Sequence, residues 1–294
     1  MHRGGTSALA GVAAHLGLVP PRTLIPASSD NPLGFYESQP IVAANHQILL
    51  AAGCAWNLCL HFDLEAVQPA LGADARRLML HLLRAEFGDQ GSFVLKDPRL
   101  CVMLPLWRPM LQAVASEHVL IVIRHPAEVC RSIASRNNLP EAETAPLWLH
   151  HMLKAERLTR DLPRAFLSYD ALLNDWQTTI TPAAEAARIV WPEPPERAAE
   201  AIRSFVAPMV RHHRAGTASA AIGPEATRHL TNQAWLALNQ LVRAPDDAAA
   251  MDCLDDVHAA FSGWCRTAYP RGRRVVFQSP PNAPTASPVP ADSP

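Results

Sequence analysis

His118-Val119-Leu120-Ile121-Val122-Ile123 runs directly into Arg124-His125-Pro126. The apolar run is β-branched and continuous rather than alternating, which is the pattern of a strand buried on both faces. Pro126 suits the first turn of a helix, and the spacing that follows carries that helix to about Arg136. Two further runs resemble the first. Phe93-Val94-Leu95 stops at Lys96-Asp97-Pro98-Arg99, and Arg164-Ala165-Phe166-Leu167-Ser168-Tyr169 stops at Asp170. Helical patterns separate them, one over Leu100 to Ala115 that Pro105 and Pro109 should interrupt and one over Pro140 to Arg160. Strands alternating with helices predict an α/β fold with a parallel sheet, whose ligand sites lie at the carboxyl ends of the strands. The predicted ends carry Lys96-Asp97, Arg124-His125 and Ser168-Tyr169-Asp170.

Working outward, helices are expected from about Gln39 to Ala52 and from Ala73 to Phe87, the second stopped by Gly88. Pro20 to Pro32 reads as irregular. From Trp176 the chain reads as helical, with breaks at Pro192 to Pro195 and Pro208 to Pro224, then helices over Glu225 to Val242 and Asp247 to Cys265. The expected organisation is one domain over 1–278, with a nucleotide-binding core at 1–175 and a mostly helical part at 176–278. Residues 279–294 hold six prolines and read as a disordered tail.

The 294 residues are 49% apolar and 18% charged, which suits a folded enzyme, and the net charge of −1 provides no general attraction to nucleic acid or acidic lipid. Any anion site must be a local concentration of charge. No apolar run reaches bilayer-spanning length, and the amino terminus lacks a signal-peptide layout. The six cysteines are scattered, and Cys54 and Cys59 have no matching second pair, so buried reduced thiols in a cytoplasmic protein are expected rather than zinc.

The chemistry concentrates at the start. Met1-His2-Arg3-Gly4-Gly5-Thr6-Ser7 runs into the helical pattern Ala8-Leu9-Ala10-Gly11-Val12. Glycines let backbone N–H groups curl around an anion, and the new helix points its positive end there. Arg3, Thr6 and Ser7 add side-chain donors. Arg124, at a strand tip, and Ser132, eight residues on, form a second candidate anion site. Each feature also has an ordinary reading, as an ion-paired arginine or a surface serine. Together they suggest a nucleotide with phosphates at both ends.

With both sites in view, the sequence resembles the sulfotransferase family, which uses 3′-phosphoadenosine 5′-phosphosulfate (PAPS). His2 to Ser7 is similar to the family's 5′-phosphosulfate loop, with Gly4 where a serine is usual. Arg124-His125-Pro126 through Ser132 resembles its 3′-phosphate motif. Asn31-Pro32-Leu33-Gly34-Phe35-Tyr36-Glu37 and Leu95 to Arg99 are similar to segments of a bacterial branch, and the likeness covers residues 1 to about 175. The resemblance implies a P-loop-like parallel sheet flanked by helices and in-line transfer of a sulfuryl group to a hydroxyl or amine acceptor. Arg3 would neutralise the leaving phosphate. Gly4, Gly5, Thr6 and Ser7 would hold the 5′-phosphate, Arg124 and Ser132 the 3′-phosphate, and Tyr169 would lie against adenine. No metal is called for, and the partner is a small-molecule or carbohydrate acceptor.

Many cytosolic members take their general base from a histidine on the strand that here reads Lys96-Asp97-Pro98. Carbohydrate-modifying relatives use a glutamate near the position of Glu37. Glu37 is therefore the first candidate base and Asp97 the second, with an exposed carboxylate and an ion pair beside Lys96 as their respective ordinary readings. His212 and His213 are read as surface residues, and Arg211 to Arg214 as an echo of a family segment. The alternatives are a P-loop kinase or NTPase, for which the expected glycine and lysine positions are unfilled, and a non-catalytic nucleotide-binding module. The family fold feeds its phosphate loop from a strand, so the resemblance also implies that a first strand is missing ahead of His2.

Overall fold

The computed structural model describes residues 1–29, 31–57, 59–62, 64–88, 91–213 and 223–268, and all structural statements concern these residues. The chain is α/β, predominantly helical, around a two-stranded parallel sheet of β1 (Val119–Ile123) and β2 (Arg164–Ser168). Val119 pairs with Arg164 and Ile123 with Ser168, so the two strands end level with each other. Between them run α6 (Pro126–Asn137) and α7 (Glu141–Arg157), the crossover that parallel pairing requires.

Alternation along the strands divides the interior into two cores. Ile121, Ile123 and Phe166 point into the larger one, with Trp107, Trp148 and Phe261 among its buried members. Its walls include α2 (Gln39–Ala51), α4 (Ala73–Phe87), α5 (Leu100–Leu111), α6, α7, α11 (Glu225–Arg243) and α12 (Ala248–Ala268). Val122, Ala165 and Leu167 face the second core, made with α1 (Thr6–His15), α8 (Tyr169–Asn174), α9 (Trp176–Ala186) and α10 (Pro195–His213). Both faces of the sheet are covered, which is why the strand residues are apolar without alternation. Gly11 fits α10 against α1, since a Cβ there would come within 2.2 Å of the Phe205 ring.

Several expectations need correction. Phe93-Val94-Leu95 is extended but forms only an isolated parallel bridge, Val19 to Phe93, and joins neither named strand. Strand character needs a ladder partner on at least one side, and this segment meets a single residue. Pro105 and Pro109 do not interrupt α5. They lie four residues apart on its less buried side, while Val102, Met103, Leu106, Trp107 and Met110 pack inward and hold the helix together. Pro208 likewise lies within α10, so the expected break there does not occur. Tyr169 opens α8 instead of closing β2. A short helix, α3 (Leu64–Ala70), forms where none was expected. The expected tail at 279–294 and Arg214 lie outside the described residues.

The amino end of β2 is anchored by a buried ion pair. Arg164 donates to the Glu156 carbonyl at 2.6 Å and to its carboxylate at 3.1 Å, and the two side chains are 3% and 1% exposed. Arg160 grips the same carboxylate at 2.8 and 2.9 Å and reaches Asp255 of α12 at 2.7 Å. Removing the shared carboxylate strands a buried guanidinium. Glu156→Ala should therefore lower stability by about 3–5 kcal/mol, read from urea unfolding midpoints, whereas Arg157→Ala, an exposed partner of Asp255, should cost less than about 1 kcal/mol.

Candidate functional site

The loop before α1 is held by its backbone. Gly4 donates its N–H to the Met1 carbonyl at 3.3 Å, and Arg3 and Gly5 take left-handed φ values of 59° and 90°. Gly5 is the N-cap of α1, no side chain caps the helix, and no acidic residue lies in its first turn. The first-turn N–H groups thus remain directed at the loop, with the helix dipole behind them. Gly5 has no freedom to change, because a Cβ would fall 2.2 Å from Cδ2 of Tyr169.

Arg3 joins the two predicted anion sites. Its Nε donates to Ser132 Oγ at 2.8 Å, and its carbonyl accepts from Arg124 Nη1 at 3.2 Å. Arg124 leaves the end of β1, pairs with Glu128 at 2.9 Å, and sets its guanidinium 4.7 Å from the centre of the Tyr169 ring. His125 accepts the Ala127 N–H at 3.1 Å and caps α6, so strand end and helix start are locked one residue past Arg124. The eight-residue spacing from Arg124 to Ser132 brings both residues to Arg3.

Tyr169 is 7% exposed, and burial raises its hydroxyl above the ordinary tyrosine range. With Gly5 against one part of the ring and Arg124 over it, the side chain supports the loop and the arginine. The adenine contact that the resemblance implies would share this ring with Arg124.

Beyond Ser7 lies the carboxylate side of the site. Lys96 donates to Ser7 Oγ at 3.3 Å and to the Phe35 carbonyl at 3.0 Å, and forms a buried ion pair with Glu37. Ser7 also donates to the Phe35 carbonyl, at 3.2 Å. Asn31 shapes this segment by donating to the Gly34 carbonyl at 2.7 Å, and the following residues Gly34 and Tyr36 both have positive φ. Asp97 is buried and fully engaged: Asn45 donates to it at 2.8 Å, and the Arg99 backbone and guanidinium do so at 2.9 and 3.0 Å. Trp107 in turn fixes Asn45 at 2.7 Å.

His2 is carried under the loop, against Trp56 at 4.7 Å and His151 at 6.1 Å between ring centres. Burial, then the Arg99 charge, pushes its imidazole well below the usual histidine range. Burial, followed by the amino-terminal ammonium, lowers His151 to about 3. Both rings are neutral at physiological pH, and His151 donates from Nδ1 to the Leu147 carbonyl at 2.8 Å.

Arg3, Gly4, Gly5, Thr6, Ser7, Glu37, Lys96, Asp97, Arg124, Ser132 and Tyr169 thus gather at one end of the sheet. Sequence reasoning singled out the stretch Asn31 to Glu37 but gave no role to Asn31 or the Phe35 carbonyl, and it passed over the Asn45–Trp107 support of Asp97. A backbone carbonyl leaves no residue signal, and the Asn45 and Trp107 roles depend on tertiary packing. The side chains of residues 211–213 are outside what the structure describes. No group of three or more histidine, cysteine or carboxylate side chains suited to a metal occurs among the described residues, and no described helix is long and apolar enough to cross a membrane. Comparison with protein-family models, curated proteins and solved structures returned no match.

The Gly5–Tyr169 contact makes a separable prediction. Gly5→Ala should destabilise through both its left-handed φ and the ring clash, by about 2 kcal/mol or more. Tyr169→Ala relieves the clash alone, so a double-mutant cycle on unfolding free energies should give a favourable coupling of about 0.5–3 kcal/mol. Strict additivity would show that the ring does not set the loop.

Proposed function

We propose that the chain is a sulfotransferase that moves a sulfuryl group from PAPS to a hydroxyl or amine acceptor. The observation carrying this reading is the convergence of Arg124 and Ser132 on Arg3, beside an uncapped helix start. That arrangement offers charged and backbone donors to both phosphates of one nucleotide, within a chain of almost no net charge.

In the proposed reaction the acceptor oxygen or nitrogen bonds to sulfur as the bond from sulfur to the 5′-phosphate oxygen breaks. The electron pair stays on that phosphate oxygen, where Arg3 and the N–H groups of Gly4, Gly5 and Thr6 offset the developing charge. Glu37 accepts the acceptor's proton. Lys96 pairs with Glu37 at rest, and turning toward the sulfuryl oxygens would release a carboxylate oxygen for that proton. Asp97 is ranked below Glu37 because Asn45 and Arg99 occupy its oxygens. Arg124 and Ser132 hold the 3′-phosphate, with Tyr169 placing Arg124. The scheme calls on no metal. The six cysteines are free, which suits a cytoplasmic setting.

A non-catalytic nucleotide-binding role is the second reading, favoured by the closed Lys96–Glu37 pair. A kinase-like role is third.

Thermal shift tests the proposal. 3′-Phosphoadenosine 5′-phosphate should stabilise the protein well above adenosine 5′-phosphate, and equal effects would remove the role given to Arg124 and Ser132. Arg124→Ala loses a charge-assisted contact of about 1.5–3 kcal/mol, so affinity should fall roughly tenfold or more. Binding without transfer to a broad acceptor panel supports the second reading, and magnesium-dependent ATP turnover without sulfuryl transfer supports the third.

A further inference from the structure

Between Arg124 at the end of β1 and Ser132 on α6 stands an acid. Glu128 and Ser132 lie four residues apart on one face of α6, and Arg124 lies four residues ahead of Glu128. The Glu128 carboxylate accepts the Nε–H of Arg124 at 2.9 Å, and both side chains are 18% exposed. A negative charge beside an anion site is at first sight a fault, because it repels whatever anion enters. The first turn of a helix favours a carboxylate through the dipole, which accounts for an acid at this position but not for the bond that it makes.

The contacts of the guanidinium supply the reason. Its N–H donors lie in one rigid plane, so fixing some of them aims the rest. Glu128 takes Nε, the Arg3 carbonyl takes Nη1 at 3.2 Å, and the Tyr169 ring covers one face with its centre 4.7 Å from the guanidinium carbon. The donors of Nη2 have no partner among the described residues. Ser132 receives the Arg3 Nε–H on its oxygen at 2.8 Å, which leaves its hydroxyl hydrogen to be donated elsewhere. Held by the Arg3 carbonyl alone, the fork could still swing on its long side chain. With Nε taken as well, it is set before any ligand arrives.

We propose that Glu128 is a positioning residue for nucleotide selectivity: it holds Arg124 by Nε so that the remaining donors of the fork and the Ser132 hydroxyl meet a 3′-phosphate together. This rests on the nucleotide reading above and adds the group that makes the 3′-phosphate decisive. A loose Arg124 would attract any anion. The repulsion from Glu128 weakens every anion at this spot alike, whereas the gain from a preset fork goes only to a phosphate that reaches Arg124 and Ser132 at once. Discrimination rises although a negative charge has been placed beside the site.

The test is the ratio of dissociation constants for adenosine 5′-phosphate and 3′-phosphoadenosine 5′-phosphate, measured by calorimetry on the full chain. Glu128→Ala should lower that ratio by about tenfold or more, the loss expected when a charge-assisted contact is no longer preset. Glu128→Gln, which keeps an oxygen for the Nε–H without the charge, should recover most of the loss. If repulsion dominates instead, both variants bind the bisphosphate more tightly and the ratio rises. A purely structural role lowers the unfolding midpoint and weakens both nucleotides in step, leaving the ratio where it was. Either result overturns the proposal. A wild-type chain that does not distinguish the two nucleotides sinks the nucleotide reading and this proposal together, while a discriminating wild type with an unmoved ratio in Glu128→Ala sinks the proposal alone. If Glu128→Ala does not fold, nitrogen-15 spectra of the wild type decide. The Arg124 Nε–H signal should persist, with slower exchange, on saturation with the bisphosphate. Its loss or faster exchange, as when phosphate displaces the carboxylate, overturns the proposal.

Discussion

The missing side chain at Gly5 is the constraint around which the candidate site is arranged. Without a Cβ, the left-handed turn at 90° can lie against the Tyr169 ring. The ring then supports the Arg124 guanidinium, and Arg124 fixes the Arg3 carbonyl. From that carbonyl the chain reverses, placing the Arg3 side chain on Ser132 and the amino end of α1 toward the same space. Arg124 serves three contacts at once through a planar fork, which a lysine of equal charge could not reproduce.

The strands and helices with strong local signals were legible in the sequence. Val119–Ile123 stands out because a strand buried on both faces must be apolar throughout, and the two cores meet on it as that pattern requires. Proline was the poorest guide. At 105, 109 and 208 it sits inside a helix whose inward face supplies enough packing to tolerate a lost hydrogen bond. Phe93 to Leu95 has strand composition but pairs with no strand among the described residues, and composition alone does not report a partner. The site was legible as residue types: two glycines at a helix start, an arginine at a strand tip, a serine eight residues later. Their meeting at Arg3 and the engagement of Tyr169 by Arg124 depend on how the layers stack, which no local pattern encodes.

Electrostatics separates the two carboxylates. Glu37 has one strong partner, Lys96, which also bonds Ser7 and the Phe35 carbonyl and so has other places to go. Asp97 is tied to Asn45 and Arg99, and Asn45 to Trp107 in the large core. One carboxylate is placed to change partners, while the other fastens the end of an extended segment to α5.

The contacts that complete the site join residues far apart in the chain. Arg3 meets Ser132 across 129 positions and Arg124 across 121, and Lys96 meets Ser7 across 89. The helices among the described residues close locally, and β1 finds β2 through the α6–α7 crossover. Loop-closure entropy therefore falls most heavily on the amino-terminal loop. Helical content needs only local contacts, so the meeting of Arg3 with Ser132 and Arg124 is expected to follow the packing of the layers that carry them.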